Sequence, residues 1–221
     1  MPLPMVHLCV AKNIMDAGLK IINLPQFYLG SISPDAIHMR QNADRLAKHA
    51  THLSADKKWN EVNEDDFFIF ICDFIEKNKS DADKDFLWGY GLHILTDMYW
   101  ANRVYKKFTA DYRKDASPVQ DERMAYYNDT DIIDQMLHDE CAWKDAVRRR
   151  LQNADCPDFL GLLTAGEIED WKLRTLRWYE SGESKHKNPI KYITKPITEN
   201  FIAECAETIR DKLITAGCFG K

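Results

Sequence analysis

The apolar residues of this chain recur at helical spacing, and no stretch sustains the period-two alternation of a half-buried strand. Residues 63 to 78, NEDDFFIFICDFIEKN, set the pattern: Phe67, Phe68, Ile71, Phe74 and Ile75 share one helical face. Asn63 is placed to cap that helix, and the acids behind it suit its positive end. A longer helix is expected over residues 81 to 108, preceded by Ser80, with others near 10 to 22, 40 to 52, 119 to 127, 130 to 151, 165 to 180 and 198 to 215. The last of these starts at Thr198, carries Phe201, Ile202, Cys205, Ile209 and Leu213 as its stripe, and stops at Gly217. No Asn-Gly or Asp-Gly hairpin turn occurs. The sequence therefore predicts an all-α fold, with loops at NLPQFYLGSISPD, DASPVQDE and SGESKHKNP.

At 221 residues with 45% apolar content, the chain suits one core, and a single domain over residues 1–221 is expected. A net charge of -5 argues against non-specific DNA binding, and no specific nucleic-acid binding is expected. The first residues, MPLPMVHLCVAKN, lack the basic and long apolar regions of a secretory signal, so the expected location is cytoplasmic. Charges interrupt every apolar cluster well short of the roughly 20 residues of a membrane span, so no transmembrane anchor is expected. Six scattered cysteines, at 9, 72, 141, 156, 205 and 218, read as reduced thiols. The basic runs VRRR and KHKNPIKYITK suggest a membrane surface or partner helix, against the ordinary reading of a solvated face.

The stretch GYGLHILTDMYW sets two polar residues, His93 and Asp97, into a greasy run. A spacing of four puts both on one helical face, about a turn apart. Imidazole and carboxylate are good ligands for zinc, while a buried His-Asp hydrogen bond would also satisfy the pair. Gly89 and Gly91 each cost a helix about 1 kcal/mol relative to alanine, which close packing there would compensate. In GSISPDAIHMR, Asp35 falls at a loop-to-helix junction, with His38 one turn on, as ligands or as a cap and a surface residue. His49 and His52 lie three apart in KHATHL, and His7 lies in an apolar context before the first expected helix. Five of the seven histidines thus fall in the first 93 residues beside apolar positions, which favours a shared N-terminal site.

The ordered set PMVHL, GSISPDAIHMR, THL, GYGLHILTDMYW and YYNDTDIIDQML resembles the bacterial zinc-dependent phospholipase C family, in the all-helical superfamily that includes the S1/P1-type nucleases. It is most similar to the short intracellular branch of that family, over roughly residues 3 to 137. The resemblance implies a helical bundle of the phospholipase C type, holding zinc, in which metal-activated water attacks a phosphodiester. It implies His7, Asp35, His52, His93 and Asp97 as metal ligands, with Asp35 also a candidate base, and His38, His49 and Asp134 as further candidates. Secreted members use an N-terminal tryptophan and a late H-x-x-x-E as ligands; this chain has no such tryptophan, and His138 is followed by Ala142 at the fourth place. One or two zinc ions are therefore expected rather than three.

Arg40 is the candidate phosphate-gripping residue, because a guanidinium takes two phosphate oxygens at once; a solvent-exposed helical arginine is the other reading. Tyr90, Tyr126 and Tyr127 are candidates to orient a leaving group, unless they are core. The expected function is a metal-dependent phosphoester hydrolase acting on a small-molecule or lipid substrate. The alternative is a non-catalytic helical protein keeping one structural metal.

Overall fold

The computed structural model describes residues 2–54, 59–80, 82–180, 186 and 188–217, and within them the chain is all-helical, with no strand. The expected loop at 181–189 and Cys218 lie mostly or wholly outside these residues. Ten α-helices follow in order: α1 (Pro4–Asp16), α2 (Leu24–Gly30), α3 (Arg45–Thr51), α4 (Glu64–Asn78), α5 (Lys84–Trp100), α6 (Lys106–Lys114), α7 (Glu122–Glu140), α8 (Lys144–Gln152), α9 (Ala165–Trp178) and α10 (Lys195–Thr215). A 3-10 turn, Ser33–Met39, follows α2. A π-helical segment, Ala101–Tyr105, joins α5 to α6, so the helix expected to end near 108 continues to 114.

Capping explains where several helices start. Asn63 accepts the backbone N–H groups of Asp65 and Asp66, each at 3.0 Å, as its position in the sequence suggested. Asp83, not Ser80, caps α5 by accepting from Asp85 and Phe86. Thr194 takes the N-cap position of α10, and Pro196 sits in its first turn, which places Thr198 inside the helix. The same chemistry corrects the expected loop at 23–35. Pro25 and Pro34 stand in the first turns of α2 and the 3-10 turn, where a missing N–H costs nothing, so prolines that signal a break here begin helices. Pro4 likewise opens α1 and puts His7 inside it, whereas the first helix was expected only from about residue 10. The break expected after 127 is absent, and α7 runs through it.

α5 is the central helix, with every residue from Asp85 to Trp100 buried. Such all-round burial marks a helix with neighbours on every side. α2 meets it backbone to backbone. A Cβ added at Gly89 would stand 2.1 Å from the Phe27 carbonyl oxygen, and one at Gly30 would stand 2.2 Å from that of Phe86. Gly91 faces α4 instead, where an added Cβ would meet Ile71 and Ile75 side-chain atoms at 2.9 Å. α1 packs between α5, α7 and α10. Its first turn is tied to α7 by Asp134, which accepts the Met5 N–H at 2.9 Å and the Tyr179 hydroxyl at 2.5 Å. Burial pushes the Asp134 carboxyl up to about 7.

Some cations of the basic runs pair within the chain. Arg148 of VRRR donates to the Leu176 carbonyl at 3.0 Å and to Glu180 at 2.8 Å. Lys191 pairs with Asp115, and Lys195 with Glu140. Part of KHKNPIKYITK lies outside the described residues. Among those described, no helix is long and apolar enough to cross a membrane.

Candidate metal centre

Four separate segments bring side chains to one point beside α5. His7 comes from α1, Asp35 from the 3-10 turn and His52 from the C-cap of α3, while His93 and Asp97 lie one turn apart on α5. His52 Nε2 stands 3.4 Å from Asp97 Oδ2 and 3.5 Å from Asp35 Oδ1. His93 Nε2 stands 3.6 Å from Asp97 Oδ2 and 3.9 Å from Asp35 Oδ2, and His7 Nε2 stands 3.6 Å from Asp97 Oδ1. The His7 and His93 rings stack at 3.8 Å with 6° between their planes.

Packing fixes each ring. The close seam of Gly30 and Gly89 delivers the Ser31 carbonyl to α5, where it accepts from His93 Nδ1 at 2.9 Å. His52 Nδ1 likewise donates to the Lys48 carbonyl at 3.0 Å. Each outer nitrogen thus carries the proton and leaves the inner Nε2 as a bare lone pair, the orientation a metal-binding histidine takes. Tyr90 donates to the Thr51 carbonyl at 2.5 Å, so it positions the turn that carries His52 rather than a leaving group.

The inward atoms are orphans. Both nitrogens of His7, Nε2 of His52 and of His93, and both oxygens of Asp97 are buried with no hydrogen-bond partner. Each such group costs about 1–3 kcal/mol, so a fold that keeps all of them needs compensation. Two zinc ligands at 2.0–2.1 Å and a tetrahedral angle stand roughly 3.4 Å apart, close to the separations of 3.4–3.6 Å from Asp97 to His7, His52 and His93. Two triads have ligand atoms all within 4.8 Å of one another: His7, Asp35 and His93, and His52, His93 and Asp97. The residues present therefore fit a divalent cation.

Electrostatics agree with that fit. Burial lowers the pKa of His7 and His52 and brings His93 down to about 4, so all three stay neutral, the form in which imidazole can bind a metal. Burial, reinforced by Asp35, raises Asp97 well above the usual carboxylate range. Burial also opposes the ionisation of Asp35, but the nearby His38 and His52 rings outweigh it and hold that pKa well below the ordinary value. Of the two carboxylates, Asp35 keeps 14% of its side-chain surface exposed and Asp97 none.

Other candidates stand elsewhere. His38 approaches Asp35 at 3.5 Å from the outer side and is 45% exposed. His49 is turned away: its Nδ1 meets Ser54 Oγ at 2.5 Å and its Nε2 accepts from Arg45 at 2.9 Å. Asp134 is saturated by Met5 and Tyr179 and does not join the cluster. Arg40 is held in a bidentate pair with Glu167, at 2.6 and 2.9 Å, and donates to the Leu162 carbonyl at 2.8 Å. Glu167 also closes the capping box of α9, so Arg40 fastens the 3-10 turn to that helix rather than facing the cluster. Arg40→Ala is expected to cost about 1 kcal/mol in thermal unfolding, the upper end for a surface pair, and to leave zinc affinity within a factor of two or so. A large loss of zinc affinity with unchanged melting would reverse that assignment.

Asp97 also reaches a cleft of about 560 Å³, whose walls include Trp59, Trp100, Tyr105, Tyr126 and Tyr127, with Glu122 and Arg123 as its other charged residues. Tyr126 is buried and accepts from Trp100 Nε1 at 2.9 Å, whereas Tyr127 is 38% exposed. Sequence reading had not reached Trp59, Trp100, Tyr105, Glu122 or Arg123. A signal was present for two of them: Trp100 lies three residues beyond Asp97 on α5, and Arg123 shares a face of α7 with Tyr126 and Tyr127.

No protein-family model matches this chain, and neither the curated proteins nor the solved structures contain a significant match to it.

Proposed function

We infer that this centre holds one or two zinc ions and that the chain is a metal-dependent hydrolase of phosphoesters, acting as a phosphodiesterase on a small-molecule or lipid substrate. One observation carries the reading. Inward-facing histidine nitrogens and Asp97 oxygens are buried without partners at ligand spacing, and Asp97 also borders a cleft large enough for a substrate. A divalent ion bound there supplies Lewis-acid chemistry, acidifying water and neutralising charge on phosphoryl oxygens. The chain's own groups do the rest. His7, Asp35, His52, His93 and Asp97 would hold the ion or ions, the carbonyls of Ser31 and Lys48 orient two of the rings, and the aromatic walls of the cleft limit water. Asp35, ionised and partly exposed, accepts the proton of the attacking water.

The test is metal analysis of protein purified without added metal, followed by a panel of phosphodiester and phosphomonoester substrates. About one or two equivalents of zinc, with zinc-dependent phosphodiester turnover that Asp35→Asn reduces on the order of a hundredfold or more, is the expected result. Zinc uptake with no turnover of any ester would leave a structural metal and remove the enzyme reading.

A further inference from the structure

The cleft holds two charged residues besides Asp97, and they stand side by side at the start of α7: Glu122 and Arg123. Arg123 is exposed, and no carboxylate lies within ion-pair reach of it among the described residues. Its guanidinium is set over the Tyr127 ring, 5.7 Å from the centroid, a stacking contact that leaves its N–H edge available. Arg40 shows what a committed arginine looks like here, with the Nε and Nη2 donors taken up by Glu167 and Leu162. Asp97, which also lines the cleft, is fully buried, with both oxygens unpartnered. The cleft is therefore lined by Asp97 of the proposed metal centre, by a single free arginine and by aromatic rings.

We propose that Arg123 is the residue that grips the substrate's phosphoryl oxygens, and that Glu122 beside it selects a singly charged phosphodiester over a doubly charged monoester. This rests on the hydrolase reading of the same centre. The planar guanidinium offers paired donors to two non-bridging oxygens, which a diester presents with one negative charge between them. Apart from the metal, which faces either ester, a second charge on the phosphate finds no cation beyond Arg123 among the cleft's wall residues and meets the Glu122 carboxylate. Like charges oppose each other. The organic arms of the ester lie against Trp59, Trp100, Tyr105 and Tyr127, so arms with an apolar or flat face are favoured.

The experiment is equilibrium titration of the full chain, metal-free and zinc-loaded, with two non-hydrolysed probes. These are ethyl phenylphosphonate, a monoanion, and phenylphosphonate, which carries two charges above neutral pH. Zinc content is counted in every sample. The zinc-loaded wild type is expected to favour the monoanion. Arg123→Ala should weaken it about ten- to a hundredfold, the range for hydrogen bonds to a charged group. Arg123→Lys should recover part of that loss, and Glu122→Gln should narrow the gap between the probes, all with unchanged zinc content. Unaltered monoanion affinity in Arg123→Ala, or no binding of either probe by the wild type, overturns the role of Arg123. An undiminished gap in Glu122→Gln overturns that of Glu122. Absence of zinc from every sample sinks the hydrolase reading instead, and an Arg123-dependent affinity in metal-free protein would then still assign the anion site.

Discussion

Alanine at Asp97 is expected to weaken zinc binding on the order of a hundredfold or more, and alanine at His93 to do the same, since each removes a direct ligand where orienting partners alone are worth ten- to a hundredfold. The more telling result lies in the metal-free protein. Truncating a buried aliphatic side chain costs about 2–5 kcal/mol. Asp97 contributes the opposite sign, because its oxygens are buried, unpartnered and next to a second carboxylate. Removing them relieves about 1–3 kcal/mol, against which the small cavity left behind must be set. Metal-free Asp97→Ala should therefore unfold at or above the temperature of metal-free wild type. Zinc should stabilise wild type far more than the variant, by about 4 kcal/mol against about 1 kcal/mol at a thousand times the wild-type dissociation constant. Calorimetry with and without a chelator reads both effects. A variant several degrees less stable without metal, yet with normal zinc uptake, would show Asp97 to be a packing residue.

Gly89→Ala should be strongly destabilising for the addition of a single methyl group. The added carbon would stand 2.1 Å from the Phe27 carbonyl oxygen and 2.8 Å from the Ser31 nitrogen, backbone atoms of α2 and of its C-cap. Neither can rotate away, so the helices must part. The loss should be about 3 kcal/mol or more, at or beyond the usual limit for overpacking, despite the gain of about 1 kcal/mol in helix propensity. Gly91→Ala meets the flexible ends of Ile71 and Ile75 at 2.9 Å and should cost about 1 kcal/mol. Any parting of the helices moves the Ser31 carbonyl from His93, so zinc affinity should fall together with stability in Gly89→Ala. Chemical denaturation of both glycine variants, alongside zinc titration, checks this. A Gly89→Ala protein as stable as wild type would refute the seam.

What could be read in advance follows from the range of each interaction. The helix after Asn63 was legible because its cap and apolar stripe are local, and the pair His93 and Asp97 because a helix repeats every turn. His7 and His52 were legible as candidates, but their meeting depends on α1 and α3 arriving at α5 from far along the chain. The choice between His49 and His52 turns on where α3 stops: His52 is its C-cap and faces inward, while His49, a turn earlier, is occupied by Arg45 and Ser54. Arg40 could not be assigned from its neighbours, because its partner Glu167 is 127 residues away. The cleft was hidden for the same reason, with walls drawn from Trp59, α5, the π segment and α7. Prolines misled in one consistent way, since a proline that ends one helix and a proline that opens the next look alike without their caps.

The tether between Met5 and Asp134 has a consequence for the newly made chain. All five clustered residues lie within the first hundred of the chain, and Asp97 is the last of them to be made. His7, however, rides on a helix held at its first turn by α7 and along its length by α10, the final helix described. A nascent chain can thus display histidines and aspartates long before it can hold them in register. The cluster reaches its described geometry only once α7 and α10 have packed against α1, so selective capture of the proposed metal would follow that docking rather than precede it.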